Sequence, residues 1–180
     1  MSKEVVIGID IGGTYTKLGI TDRSGKLFYD KVIETDKFDD PKSFAEAIHT
    51  LLHNDIGKKL NKFKILGIGI GAPNGNYYTG NIEYAPNLIW KGVIPFADIF
   101  GSIFNLPVAL TNDANAAAIG EMLFGAAQKM DNFLMITLGT GLGSGLVVNG
   151  KLVYGHDGFA GELGHIGVSE NGRACRCGKR

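Results

Sequence analysis

Two glycine turns, two adjacent polar side chains and a short acid-imidazole segment are the parts of this chain whose residue types could do chemistry. Gly12-Gly13-Thr14 follows the apolar run Val5-Val6-Ile7 and Asp10; Gly139-Thr140-Gly141 follows Phe133 to Leu138, with Gly143 just beyond. One such turn reads equally well as a hairpin that needs positive φ and as a place where another molecule meets the backbone. A pair, each with a threonine hydroxyl and backbone N–H groups, suits phosphate oxygens. Asp10 could orient a hydrated magnesium ion, the plain alternative being a turn aspartate.

Asn112-Asp113 stands where a strand runs into a helix, a position at which either residue could serve only as an N-cap. Two polar residues exceed what one cap requires, and a carboxylate at a helix N-terminus is well placed to accept a hydroxyl proton. Two phosphate cradles, a magnesium ion and a carboxylate beside an acceptor hydroxyl are nearly all that phosphoryl transfer requires. Gly161-Glu162-Leu163-Gly164-His165 sets an acid and an imidazole about one turn apart, a donor and acceptor pair suited to sugar hydroxyls. It is not the His-Glu-x-x-His of a zinc hydrolase. Cys175 and Cys177, the two cysteines, are spaced awkwardly for a mutual disulfide and well for a metal, and His165 would make a third ligand of a structural zinc site.

Other chemistries fit less well. The second glycine turn is followed by the strand and turn Leu146-Val147-Val148-Asn149-Gly150 where a dinucleotide fingerprint needs a helix, and no Gly-x-x-x-x-Gly-Lys-Ser/Thr occurs. His49 and His53 share a helix face but have no cysteine or acidic pair beside them, so they read as solvated.

The elements that must position these groups follow from periodicity. Val5 to Ile11, Tyr15 to Thr21 and Lys26 to Ile33 read as a three-stranded antiparallel meander. A helix is capped by Asp40, starts at Pro41 and is expected to stop at Gly57; a strand over Phe63 to Gly71 and a helix over Pro95 to Phe104 come next. A strand over Pro107 to Thr111 then leads into the helix Ala114 to Phe124, closed by Gly125. After it, glycine turn, strand, tight turn and Gly-Lys-Leu recur, with Gly25-Lys26-Leu27 matched by Gly150-Lys151-Leu152. The chain thus reads as a duplication in which two meanders face one polyphosphate, with a first lobe over 1–125 and the start of a second over 126–180.

Composition limits the partners. Lys plus Arg equals Asp plus Glu at 18 each, so no global field favours nucleic acid or an anionic membrane. The 27 glycines, roughly twice the usual share, sit beside apolar runs rather than in a low-complexity tract. The N-terminus is too short and too charged for a signal peptide or membrane span, and with two cysteines in metal spacing a cytoplasmic protein is expected.

Taken together, the motifs resemble the ROK group of repressors, open reading frames and sugar kinases, in particular its bacterial glucokinases. The resemblance rests on Asp10 to Thr14, Gly71 to Gly75, Ala85 to Trp90, Asn112 to Ala117, Gly139 to Gly145, Gly161 to His165 and Cys175 to Gly178, in family order over the whole chain. It implies an α/β, actin-like (ribonuclease-H-like) ATPase fold, with ATP and magnesium between lobes. Asp113 would be the base, and Asn112, Glu162 and His165 would contact a hexose, joined by Asn74, Gly75 and Asn87. The reaction implied is phosphorylation of glucose at its 6-hydroxyl, with another hexose such as N-acetylmannosamine or fructose as the alternative. A sugar-sensing repressor would need a DNA-binding segment before the first strand, where only Met1-Ser2-Lys3-Glu4 stands. The family's cysteine motif runs on to a third zinc cysteine and a last sugar-binding glutamate, whereas this chain stops at Lys179-Arg180. The expectation is therefore an N-terminal part of a longer kinase, inactive alone, whose full-length form is a homodimer or homotetramer.

Overall fold

A computed structural model describes residues 2–60, 62–139, 141–175 and 178–180. Strands β1 (Lys3–Ile11), β2 (Tyr15–Thr21) and β3 (Leu27–Glu34) form the expected antiparallel meander. Alternation drives it: Val5, Ile7, Ile9 and Ile11 are buried on one face of β1, while Val6, Gly8 and Asp10 face the other way. Helix α1 (Pro41–Leu60) follows, then β4 (Phe63–Ala72), which pairs parallel to β1.

Asp40 caps α1 as the sequence predicts, its Oδ1 accepting the N–H groups of Lys42 and Ser43, both at 2.9 Å. The expected stop at Gly57 is wrong, because the helix continues to Leu60. Glycine ends a helix by taking a left-handed conformation, and Gly57 is not among the glycines with positive φ, so it remains an interior residue at a cost of about 1 kcal/mol relative to alanine.

The stretch between β4 and the next helix holds a small hairpin that the sequence did not announce, β5 (Ile82–Glu83) with β6 (Val93–Ile94). Helix α2 (Phe96–Phe104) leads to β7 (Val108–Asn112), parallel to β4, and α3 (Asp113–Phe124) starts on the next residue. The five-stranded sheet runs in the order β3-β2-β1-β4-β7. Its core lies beneath α1 and α2, around Phe44, whose ring meets Trp90 at 5.0 Å, Phe38 at 5.5 Å and Phe96 at 6.2 Å between centroids. A large apolar side chain buried this completely contributes about 1.5–3 kcal/mol.

Strands β8 (Phe133–Leu138), β9 (Leu142–Val148) and β10 (Lys151–Leu152) form a second antiparallel sheet in the order β10-β9-β8. This repeats the order β3-β2-β1 with a glycine turn at the same place, so the internal duplication is visible in the backbone. Asn149 and Gly150, both at positive φ, make the tight turn into β10. Helix α3 packs on β9, and the opposite face of β8 leaves Leu134, Ile136 and Leu138 exposed. Among the described residues, no helix is long and apolar enough to cross a membrane.

Candidate active site

Helix α3 brings the chemistry to one place. Asn112 is its N-cap, with Oδ1 accepting from the N–H of Ala114 at 2.9 Å and of Asn115 at 3.3 Å. Asp113 is the first helical residue; its Oδ1 accepts from Ala114 N–H at 2.8 Å and its side chain is exposed. Asp113 and Asp10 line one cavity of about 930 Å³ with Lys17, Gly71, Thr111 and Tyr154. Asp10 lies in cross-strand register with Lys17 and Gly71. Solvent reaches Asp10, yet surrounding protein lifts its carboxyl above the ordinary value; Lys17 opposes this, and the Asp113 carboxylate adds to it. Carboxylate oxygens are the ligands magnesium takes, but among the described residues no three His, Cys, Asp or Glu side chains come together as a metal cluster.

Gly12 follows Asp10 by two residues at the end of β1 and Gly139 directly follows β8, but Gly12, Gly13, Thr14, Gly139 and Gly141 are not among the residues that line the cavity. Gly12 N–H donates to Tyr15 O at 2.9 Å and Gly139 N–H to Gly141 O at 3.0 Å, so these two donors close their own turns instead of reaching outward. The candidate phosphate contacts are then Gly13, Thr14 and Gly141. At Gly13 a Cβ would run into the Asn87 carbonyl, so glycine is required there by close packing between the first turn and the Asn87 loop. Gly139 and Gly141 border open space. Gly143 and Gly145 let β9 lie directly on α3: a Cβ on Gly145 would stand 2.6 Å from that of Ala118. The second turn is thereby tied to the helix that carries Asp113. Thr140 lies outside the described residues.

Asn74 and Gly75 reach the same region. Gly75 packs on the Thr111 carbonyl, one residue before the cap, while Asn74 Nδ2 donates to Glu83 O at 2.9 Å, holding the β4–β5 loop closed. Asn87 is exposed, in a loop braced by Lys91 Nζ donating to Leu88 O at 2.6 Å. Glu162 stands at the N-cap position of the 3-10 turn Leu163–His165 and His165 ends it, both exposed, with His165 N–H donating to Glu162 O at 3.1 Å. Ser144, buried on β9, fixes this turn: its hydroxyl donates to Gly161 O and accepts from Leu163 N–H at 3.2 Å. His165 Nδ1 is 3.8 Å from Cys175 Sγ, the spacing of neighbouring donors around one tetrahedral metal, and Cys177 lies outside the described residues. His49 and His53 are exposed, His49 edge-on to Phe104 at 5.0 Å.

Sequence reasoning missed Ser144 and Asn76. Asn76 is 4% exposed; its Nδ2 donates to Asp157 O at 2.9 Å and its Oδ1 accepts from Tyr78 N–H at 3.0 Å. Its setting in Asn74-Gly75-Asn76 reads only as a loop, and nothing nearby in the chain announces its partner.

A mixed sheet extended by parallel strands, a repeated meander and a glycine turn at the head of each define an actin-like ATPase fold. The pattern of the ROK family matches residues 6–180, and the chain belongs to that family. It is 40% identical to a glucokinase of Halalkalibacterium halodurans, over 99% of this chain and 55% of that protein. It is 35% identical to a xylose repressor of Caldicellulosiruptor bescii, over 96% of this chain and 44% of that one. Among solved structures, a ROK family glucokinase from Streptomyces griseus in complex with glucose and AMPPNP superposes with a TM-score of 0.80 at 36% identity, covering 98% of this chain and 55% of that chain. The chain thus spans about half the length of the relatives it matches.

Proposed function

We propose that the full-length protein is an ATP-dependent hexose kinase that phosphorylates glucose at its 6-hydroxyl, with residues 1–125 and 126–180 belonging to its two lobes. The observation that carries this reading is the division of labour at α3: Asn112 carries the cap, and Asp113 presents a carboxylate to the cavity that Asp10 also lines. Similarity to glucokinases, one of them holding glucose and AMPPNP, supports glucose and ATP as the first substrates to try.

In this reading Asp113 accepts the hydroxyl proton through the oxygen not held by Ala114 N–H, as the sugar oxygen takes the phosphoryl group. Asn112, Glu162 and His165, with the loops carrying Asn74, Gly75 and Asn87, orient the sugar by hydrogen bonds. Gly12, Gly13 and Thr14 on one side and Gly139, Thr140, Gly141 and Gly143 on the other form the turns that hold the phosphates. Asp10 is the residue toward magnesium, which when bound offsets the charge of the transferring phosphoryl group. His165 and Cys175, with Cys177, would hold a structural zinc that anchors the Glu162 turn.

The test is ADP release by the full-length protein, followed by a coupled assay over glucose, fructose and N-acetylmannosamine. Glucose turning over with the highest kcat/KM supports the reading, and preference for another hexose reassigns the substrate within it. The likeness to a xylose repressor supports a second reading, a sugar sensor: sugar binding with no ADP formed from any hexose would favour it.

A further inference from the structure

The two segments assigned above to the sugar come from distant parts of the chain and are bolted together by Asn76, Tyr77, Tyr78 and Tyr154. Asn76 is the centre of this joint. Its buried carboxamide donates to Asp157 O and accepts from Tyr78 N–H, and Gly158, at φ +87°, packs against the same carboxamide. Tyr78 Oη donates to Gly155 O at 3.0 Å. The rings of Tyr77 and Tyr154 stack at 4.3 Å and 11°, at the rim of the cavity that Asp113 lines.

We propose that Asn76 is a positioning residue for the sugar: it fixes the spacing between the loop bearing Asn74 and Gly75 and the segment that runs from Tyr154 to Glu162 and His165. This inference rests on the hexose-kinase reading. Without the joint, sugar contacts on the two segments are no longer held at one separation, and binding must itself order them. The phosphate turns are held separately, Gly13 by the Asn87 loop and Gly143 and Gly145 by α3, so nucleotide contacts are spared.

The experiment compares the full-length protein with its Asn76→Ala and Asn76→Asp variants. Asn76→Asp retains the acceptor for Tyr78 N–H but sets a carboxylate oxygen against Asp157 O where the donor stood, so it breaks this bond of the joint while keeping the local loop turn, the Tyr78–Gly155 bond and the Tyr77–Tyr154 stack. Both variants are expected to raise the KM for glucose by about tenfold, the effect of leaving one buried group without its partner, with the KM for ATP changed less than about twofold. Amide exchange of residues 155–165 should accelerate in both by more than exchange of the β1–β4 core, which reports any accompanying loss of global stability. A glucose KM within about twofold of wild type in Asn76→Asp, or equal losses for glucose and ATP, would overturn the proposal. If wild type turns over no hexose, the kinase reading falls by itself; unchanged exchange over 155–165 in both variants then still overturns the joint, and accelerated exchange upholds it.

Discussion

Asn112 and Asp113 divide the start of α3 between them: the Asn112 carboxamide oxygen holds two backbone N–H groups, and the neighbouring Asp113 stands exposed on the cavity wall. Stability and chemistry are therefore separable by substitution. Asn112→Ala should lower the free energy of unfolding by about 1 kcal/mol and weaken glucose binding. Asn112→Asp keeps a capping oxygen but loses the amide donor, so only glucose binding should suffer. Denaturant unfolding and glucose titration of both variants check this; an Asn112→Asp protein that binds glucose like wild type would leave Asn112 a cap and nothing more.

The two glycine turns call for different treatment. Gly141 borders open space, so Gly141→Val introduces its side chain where phosphate is expected and should raise the KM for ATP by roughly tenfold or more with little change in melting temperature. Gly13→Val instead drives a side chain into the Asn87 carbonyl and should lower the melting temperature as well. Steady-state kinetics paired with thermal melts separates the two, and an ATP KM unmoved by Gly141→Val would remove the second turn from the nucleotide site.

Asp22 supplies a pH dependence independent of the active site. Lys3 Nζ lies 2.6 Å from its carboxylate and the Ser24 hydroxyl donates to it at 2.6 Å, which together hold its pKa well below the usual carboxylate range. A depressed folded-state pKa stabilises the fold above the unfolded value of about 4 and loses that contribution as pH falls through and below it. The stability gap between wild type and Asp22→Asn should accordingly be full near neutral pH and shrink steadily below about pH 4. Urea melts across pH measure it, and a gap that widens in acid would contradict the assignment.

Leu134, Ile136 and Leu138 form an exposed apolar row on β8, with 44%, 50% and 83% of their surfaces open. A flat apolar strand at a sheet edge favours pairing with other chains. The 180-residue polypeptide should show concentration-dependent sedimentation that Ile136→Lys with Leu138→Lys abolishes. Ideal monomer behaviour of the unsubstituted polypeptide at high concentration would remove this expectation.

What the sequence could disclose follows the range of the forces involved. The first meander was legible because β1 buries every second residue, a signal that a shift by one position would destroy. Asn112 and Asp113 were legible because capping links residues two and three apart. Helix α1 overran Gly57 because a glycine stops a helix only where it turns left-handed, and the residue type alone does not say whether it does. The β5–β6 hairpin has strands of two residues, too short for any period, and is held by loop contacts such as Asn74 to Glu83. The bond from Asn76 to Asp157 spans 81 residues and joins two segments of loop character, so only the folded chain reveals it.

The central claim is that Asp113 takes the proton from the sugar hydroxyl, and the most direct measurement is the kcat of Asp113→Asn for glucose in the full-length protein. Asn112 retains the cap in this variant, so the melting temperature should stay near that of wild type. The account predicts a kcat lower by roughly 10²- to 10⁴-fold with only a modest change in glucose KM. A kcat close to wild type, accompanied only by a fall in melting temperature, would contradict it and reduce Asp113 to part of the helix start.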